Sequence, residues 1–234
     1  MNLDFFHFEL FRISPARRNS AGGNFEFRIF KIMLQIKSKY KIAKRLGNQI
    51  FEQTQTQKFA LSEARSKKIR SGGRGGKSDY GRQLLEKQKV RFTYGIPERQ
   101  LANYAEAAFA TKSPTESLHR ALEMRLDSAA YRAGFALTRR AARQMVSHGH
   151  LLVNGKRITT PSYRLKKGDV ISVREGSQKS VLFAHMGNPA AGRTIPGWLS
   201  VDMPTMVAKV EGEPGYSPLE IPLDYSAVFE FYSR

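Results

Sequence analysis

Apolar positions recur along this chain at helical spacing up to about residue 148 and at strand spacing after it. Over Asp79–Tyr94 (DYGRQLLEKQKVRFTY), Leu84, Leu85, Gln88 and Phe92 fall near one face, while Arg82, Lys87, Lys89 and Arg91 crowd the remainder. Ser78 or Asp79 can cap the start of this helix, and Gly95 is a natural stop. Pro97 restarts a helix at its first turn, where a missing N–H costs nothing, and PERQLANYAEAAFA carries it to about 110. Ser113 and Glu116 have the spacing of a capping box, with Pro114 at the first helical position. That spacing predicts one helix through Leu118, Leu122 and Leu126 to Ala133, stopped by Gly134. Thr138 then caps RRAARQMVSH. Beyond His150 the pattern predicts strands: LLVNGKRI turns at Asn154-Gly155, where both positions need positive φ, and Val170–Val173 follows a turn at Lys167-Gly168-Asp169. Trp198–Val201, Leu219–Leu223 and Ala227–Tyr232 read as further short strands. Residues 53–78 are polar and then Gly-rich, which predicts a short helix near 60–69 and a flexible loop. There is no convincing internal repeat.

Charge changes the picture. The 234 residues carry 39 Lys and Arg against 20 Asp and Glu, a formal net charge of +19. Self-repulsion of that size calls for a polyanionic partner, nucleic acid first and an anionic membrane surface second. The excess is concentrated. Residues 33–100 hold 17 basic against 5 acidic side chains, residues 118–176 hold 12 against 4, and residues 177–234 hold 4 against 6. Two basic blocks followed by a mildly acidic tail fit two nucleic-acid contact surfaces. No cysteine is present, which removes disulfides, thiolate metal sites and Cys nucleophiles and fits a reducing compartment. No apolar run approaches the roughly 18 residues of a membrane span. The start, MNLDFFHFELFRI, is acidic and interrupted by Asp4, His7 and Glu9, unlike a secretory signal. Residues 1–32 differ from the remainder in being Phe-rich, and basic character begins at Met33. We read them as a mis-started or disordered extension, with Met33 as the expected start.

Few residues invite a catalytic reading. GGRGGKS ends like a phosphate loop, but Ser71 stands where that motif needs Gly and no apolar strand precedes it. A mobile basic loop against phosphates is the better account, and it includes Lys77. His148 and His150 form an H-x-H pair with no evident third ligand, so we expect no metal there. Asp127 is a lone carboxylate among arginines, fit for a local ion pair rather than a general base. Met124, Met145, Leu118, Leu122 and Val146 read as core. Tyr80, Phe92, Tyr94 and Tyr104 interleave the first basic block, and burial is their commoner fate than base stacking. Arg139, Arg140 and Arg143 load the start of their helix with positive charge, against the macrodipole. An approaching phosphate would supply the reason, and on that basis this helix end is expected to face RNA.

The stretch LEMRLDSAAYRAGFALTRRAARQMVSHGHLLVNGKRITTPSYRLKKGDVISVRE resembles the RNA-binding module named after ribosomal protein S-four, also called the alpha-L motif. Upstream SDYGRQLLEKQKVRFTYGIPERQ and the terminal FEFYSR are similar to the bacterial small-subunit ribosomal protein family itself, and the likeness covers roughly residues 37–234. The resemblance implies a protein that binds 16S ribosomal RNA directly and early and organises its five-prime domain. It implies neighbours in small-subunit proteins five and twelve, an influence on decoding accuracy, and messenger RNA at the entry site. Some members repress their own translation. Residues that match the family are Ser78, Asp79, Tyr80, Gly81, Glu86, Lys87, Gln88, Lys89, Val90, Arg91, Arg99 and Gln100 in the first block. In the module they are Arg125, Asp127, Arg139, Arg143, Gln144, Gly149, Asn154, Gly155 and Lys156. Many members carry four zinc-binding cysteines near the N-terminus; this chain has none, so it is of the cysteine-free type and no metal or other cofactor is expected.

The sequence therefore predicts an α+β fold. A basic helical lobe spans 33–117, an inserted module of two helices and a small twisted sheet spans 118–176, and a strand-rich tail, 177–234, is expected to pack on the first lobe. RNA is expected to lie across both lobes, on Lys39, Lys41, Lys44, Arg45, Lys77, Arg82, Lys87, Lys89, Arg91 and Arg99 in the first. In the second it would meet Arg125, Arg132, Arg139, Arg140, Arg143, Gln144, His148, Asn154, Lys156, Arg157, Lys166 and Lys167. The function expected is that of a cytoplasmic, non-enzymatic constituent of the small ribosomal subunit. An RNA-modifying enzyme or a stress factor carrying the same module is the alternative. The enzyme would need a separate catalytic domain, for which residues 177–234 are too short.

Overall fold

A computed structural model describes residues 34, 36, 38–70, 78–187, 194–217 and 221–234. Residues 1–32, Lys77 and the GGRGGK stretch lie outside the described residues. The first elements are helix α1 (Lys39–Leu46), two 3-10 turns (Asn48–Ile50 and Glu52–Thr54) and helix α2 (Gln57–Arg70). Ala43, Leu46, Ile50, Phe51 and Phe59 close a small core among them, against Leu85 and Phe92. Helix α3 (Asp79–Tyr94) keeps the predicted limits. Ser78 Oγ accepts from Gly81 N at its start, and Gly95 ends it in the left-handed region at φ 61°. Helix α4 (Glu98–Phe109) follows Pro97.

The helix predicted over 114–133 is two helices, α5 (Pro114–Glu123) and α6 (Leu126–Arg132). Between them Arg125 is extended (φ −75°, ψ 143°). Met124 O accepts from Leu165 N at 2.8 Å, and Leu126 N donates to Tyr163 O at 2.9 Å. Long-range pairing with the 163–165 segment thus replaces one helical turn, a tertiary override of local periodicity. Ser113 makes no side-chain cap bond, so the capping box does not form. Helix α7 (Arg139–His148) does carry its predicted cap, Thr138 Oγ1 accepting from Ala141 N at 3.1 Å.

The sheet is antiparallel, with β1 (Leu151–Val153), β2 (Lys156–Arg157), β3 (Val170–Val173), β4 (Leu199–Asp202) and β5 (Val207–Val210) in the order β2-β1-β3-β5-β4. The turn between β1 and β2 has Asn154 at φ 50° and Gly155 at φ 77°, as an Asn-Gly hairpin requires. Asn154 also braces β3, donating to Asp169 and accepting from Val170 N. The tail expected to pack on the first lobe divides. Its strands β4 and β5 extend the module's sheet through β3, pairing Ile171 with Ala208. Its last segment returns to the helical lobe.

That segment is a correction to the pattern. Ala227–Tyr232 is not a strand but part of helix α8 (Tyr225–Tyr232), capped by Asp224 accepting from Ala227 N. Tyr225, Val228, Phe229 and Tyr232 recur at helical spacing and pack on Val90, Tyr94, Leu101 and Leu118. Residues 221–223 are not a strand either. A third core lies between α6, α7 and the sheet, with Leu126, Phe135, Ala142, Val146, Leu151, Ile171 and Ala208 at its centre. The fold is α+β.

Phe229 packs edge-on against Phe109, ring centroids 4.6 Å apart. Phe229→Ala should cost about 3 kcal/mol or more, the usual range for an aromatic lost from a core. Urea unfolding monitored by circular dichroism measures it; an unchanged midpoint would show that α8 is not part of the cooperative unit.

Candidate nucleic-acid interface

Helix α7 sorts its residues by face. Arg139, Ala142, Arg143 and Val146 share the inner stripe, with Ala142, Arg143 and Val146 buried. Arg140, Gln144 and His148 recur every fourth residue on the opposite side, and all are exposed. The three arginines at its start therefore have different fates.

Arg143 is 8% exposed and points into the seam between the lobes. Its Nε and Nη2 donate to Asp127 Oδ2 at 2.8 and 2.6 Å. Its Nη2 also donates to Tyr94 O at 3.0 Å, and Nη1 to Gly95 O. These carbonyls end α3, so a cation sits where the macrodipole favours one. Arg125 holds the same carboxylate bidentately, at 2.9 Å on each oxygen, and donates to Tyr104 Oη at 2.8 Å. Burial alone would raise the Asp127 pKa, but Arg125 and Arg143 outweigh it and hold the carboxyl below its usual range.

A second carboxylate, Glu123, is 1% exposed. It accepts from Tyr94 Oη at 2.7 Å, Arg132 at 2.8 and 2.9 Å, and Arg139 Nη2 at 3.1 Å. The Arg139 guanidinium lies between the rings of Tyr94 and Tyr131, 4.5 and 4.6 Å from their centroids. Burial again opposes ionisation of Glu123, and Arg139 and Arg132 overcome it, so its pKa is far below the ordinary value. Tyr94 and His119 stay neutral in this cluster: burial raises the first pKa and lowers the second. His119 Nδ1 and Tyr225 Oη lie 3.0 Å apart, which ties α8 into the same network.

The N-terminus of α7 is occupied as well. Glu52 Oε1 accepts from Arg139 N at 3.3 Å, placing a carboxylate from the helical lobe at the positive end of the dipole. A phosphate approaching that end would meet the Glu52 carboxylate. Arg125, Arg139 and Arg143 are thus corrected from RNA contacts to structural residues: each is committed to a buried carboxylate. Lys87 joins them. It is buried, donates to Glu98 at 2.7 Å and lies 4.0 Å over the Phe231 ring. Arg132, Lys89 and Arg91 are partly exposed but paired, Arg132 with Glu123, Lys89 with Glu86 at 2.5 Å, and Arg91 with Glu98 at 3.7 Å.

The other predicted residues face outward. Lys41, Lys44 and Arg45 stand on α1, Arg82 and Arg99 on α3 and α4, and Arg140, Gln144 and His148 on α7. Lys39 is half-buried and donates to Gln53. Asn154, Lys156 and Arg157 stand at the β1–β2 hairpin, and Lys166 and Lys167 in the turn before β3. Arg157 Nη2 donates to His148 O at 2.9 Å and lies against Gly149, which is at φ 72°. A Cβ at 149 would displace that flexible guanidinium and would be strained at φ 72°, so Gly149 lets hairpin and helix end form one surface. His148 and His150 stack at 6.0 Å, and His150 Nδ1 lies 3.0 Å from Ser177 Oγ. Among the described residues no group of three or more His, Asp or Glu side chains is placed to hold a metal ion. None of their helices is long and apolar enough to cross a membrane.

Arg164, Arg174 and Lys209 are exposed basic residues absent from the expected set. Alternation could have found Lys209, between buried Ala208 and Val210 on β5. The burial of Arg143 was also legible, because it falls between Ala142 and Val146 on the apolar stripe.

A two-helix module on a small sheet, with a basic outer face and a basic helical lobe beside it, defines a ribosomal-type RNA-binding protein. The model of the S4 domain matches residues 124–171, and that of the ribosomal protein S4/S9 N-terminal domain matches residues 35–124. The chain is 46% identical over 166 residues to the small ribosomal subunit protein uS4 of Sulfurihydrogenibium sp., spanning 70% of this chain and 81% of that one. It is 44% identical over 158 residues to its Nocardia farcinica counterpart (67% and 79%) and 41% over 177 residues to that of Lachnospira eligens (75% and 89%). The chain belongs to the uS4 family of small ribosomal subunit proteins.

Arg143→Met should lose about 3 kcal/mol of stability, because it leaves buried Asp127 with Arg125 as its one remaining guanidinium and takes the seam donors from the Tyr94 and Gly95 carbonyls. Arg140→Met, on the outer face of the same helix, should stay within about 0.5 kcal/mol of the parent. Chemical denaturation of the two variants makes the comparison, and equal stabilities would contradict the buried seam.

The two depressed carboxyls also fix a pH dependence. In the unfolded chain both protonate near their ordinary values of about 4. In the folded protein they remain ionised below that. Their stabilisation is therefore complete above about pH 5 and is lost as pH falls through the folded pKa values. Urea midpoints measured from pH 7 to pH 3 should drop steeply below about pH 4.5, and Glu123→Gln should flatten the fall.

Proposed function

We propose that this protein binds 16S ribosomal RNA across both lobes and helps nucleate assembly of the five-prime domain. The α7 face of Arg140, Gln144 and His148, continued by Arg157 over Gly149, carries that reading. It is a cationic and hydrogen-bonding surface with no buried carboxylate to neutralise it. Lys156, Lys166 and Lys167 extend it on the module, and Lys41, Lys44, Arg45, Arg82 and Arg99 supply a second surface on the helical lobe. In structured RNA the deep, narrow groove hides base edges, so contacts to phosphate and shape carry recognition.

The protein is a structural constituent of the small ribosomal subunit, acts in the cytoplasm within that particle, and is not an enzyme. Its membership of the uS4 family is the basis for this. Contacts to small-subunit proteins five and twelve, a place beside messenger RNA at its entry site, and an influence on decoding accuracy belong to the same reading. The family resemblance supports them.

Binding to 16S ribosomal RNA should be steeply salt-dependent, since each phosphate contact releases counterion on association. Arg140→Glu combined with Lys167→Glu should weaken it roughly 10- to 100-fold and lower the salt slope by about 1–2, with the urea midpoint unchanged. Filter binding across a salt series tests this. A folded double variant with parental affinity and slope would remove the module face from the interface.

A further inference from the structure

Helix α1 is amphipathic in an uncommon way. Ala43 and Leu46 are buried against the 3-10 turns and α3, and Lys39 is tied to Gln53 at 2.7 Å. The other side presents Tyr40, Lys41, Lys44 and Arg45, all exposed, at positions i, i+1, i+4 and i+5. No acidic residue occurs in α1. Tyr40 is 58% exposed, the most exposed aromatic side chain among the described residues. Its ring leans on Phe59, centroids 6.0 Å apart at 38°, and Phe59 is itself buried. The phenol is therefore braced on one side and open on the other, with three cations on its own helix face and Lys58 exposed beside Phe59. A lone surface tyrosine needs no explanation. Tyr80, the next most exposed aromatic, is covered differently: Phe231 and Arg234 lie against it, and Asp79 and Glu230 adjoin.

We propose that Tyr40 is a stacking platform for one unpaired base of ribosomal RNA, with Lys41, Lys44 and Arg45 holding the phosphates that flank it. The inference rests on the RNA-binding reading above and adds a class of ligand to it: a nucleotide splayed out of the helical stack. A braced aromatic offers its face to any base, and the surrounding cations track the backbone. Charge complementarity selects RNA over a protein partner, because the exposed residues beside Tyr40 on α1 are Lys41, Lys44 and Arg45, and Lys58 adjoins Phe59 in sequence.

The test is filter binding of the full chain to naked 16S ribosomal RNA, with affinity measured over a salt series. Tyr40→Leu should weaken binding about tenfold, the equivalent of one stacked base. The slope of log affinity against log salt should not change, because no phosphate contact is lost. Tyr40→Phe, which keeps the ring, should bind like the parent. Lys44→Gln should lower the salt slope by about 0.7–0.9, one phosphate contact. Urea unfolding checks that Tyr40→Leu folds. Should it not fold, Tyr40→Trp replaces it, and its added indole emission should be quenched by the RNA. Parental affinity of a folded Tyr40→Leu, an equal loss in Tyr40→Phe, a changed slope in Tyr40→Leu, or unquenched indole emission would each overturn the stacking role while leaving ribosomal RNA binding in place. Failure of the unsubstituted protein to bind 16S ribosomal RNA is the separate outcome that removes both.

Discussion

Asp127 is the carboxylate on which the relation of the two lobes depends. It sits at the start of α6, in the module, and gathers Arg125 beside it and Arg143 from α7. Arg143 then crosses to the carbonyls that end α3 in the helical lobe. A helix C-terminus leaves carbonyls without partners, and a guanidinium from another lobe supplies the donors. Glu123 does the same work a turn away, drawing Arg132 and Arg139 of the module to Tyr94 of α3. The lobes are therefore joined by charge and hydrogen bonding more than by apolar contact. Their apolar cores stay separate, one around α3, α4, α5 and α8, the other around α6, α7 and the sheet.

Buried ion pairs of this kind are poor sources of net stability, since desolvation offsets much of their attraction. They are better at selecting one arrangement, because any other leaves a charge buried without a partner. An apolar seam could slide; a carboxylate held by two guanidinium groups cannot do so without exposing a large penalty. Fixed lobe geometry matters for a protein that reads shape, where the spacing of its basic surfaces must match the spacing of phosphates. The seam also explains an apparent conflict. Positive charge at the start of α7 opposes its dipole, yet Glu52 approaches from the helical lobe and satisfies that end.

Local signals in the sequence were reliable where local physics decided the outcome. Ser78, Gly95, Thr138 and the Asn154-Gly155 turn do what their chemistry prescribes, because caps and positive-φ turns depend on a few adjacent residues. Signals failed where distant residues intervened. The break at Arg125 is imposed by backbone bonds to 163–165, some 40 residues away, which no helical period could reveal. The tail's division between sheet and helical lobe is likewise non-local. The end of the chain was misread for a different reason: AVFEFY is too short for its period to distinguish strand from helix, and Tyr225 four residues before Phe229 was the missing clue. Family and function were legible because they rest on long motifs. Individual site residues were less so, since a count of arginines does not say which ones meet carboxylates.

That distinction bears on how much of the net charge of +19 is available to a partner. Arg125, Arg139, Arg143 and Lys87 contribute to the formal total but lie within networks that include Asp127, Glu123 and Glu98. Their fields are largely cancelled within the fold. Among the described residues, two groups of the cations left outside are each backed by a packed element: one on α7 and the hairpin, another on α1. A cation on a braced helix or hairpin loses less conformational freedom on meeting a phosphate than one on a loose segment, so more of each contact appears as affinity. The same residue type thus serves two ends in one chain. Inside the seam arginine fixes the angle between the lobes, and outside it the angle so fixed decides which phosphates the two basic surfaces reach together.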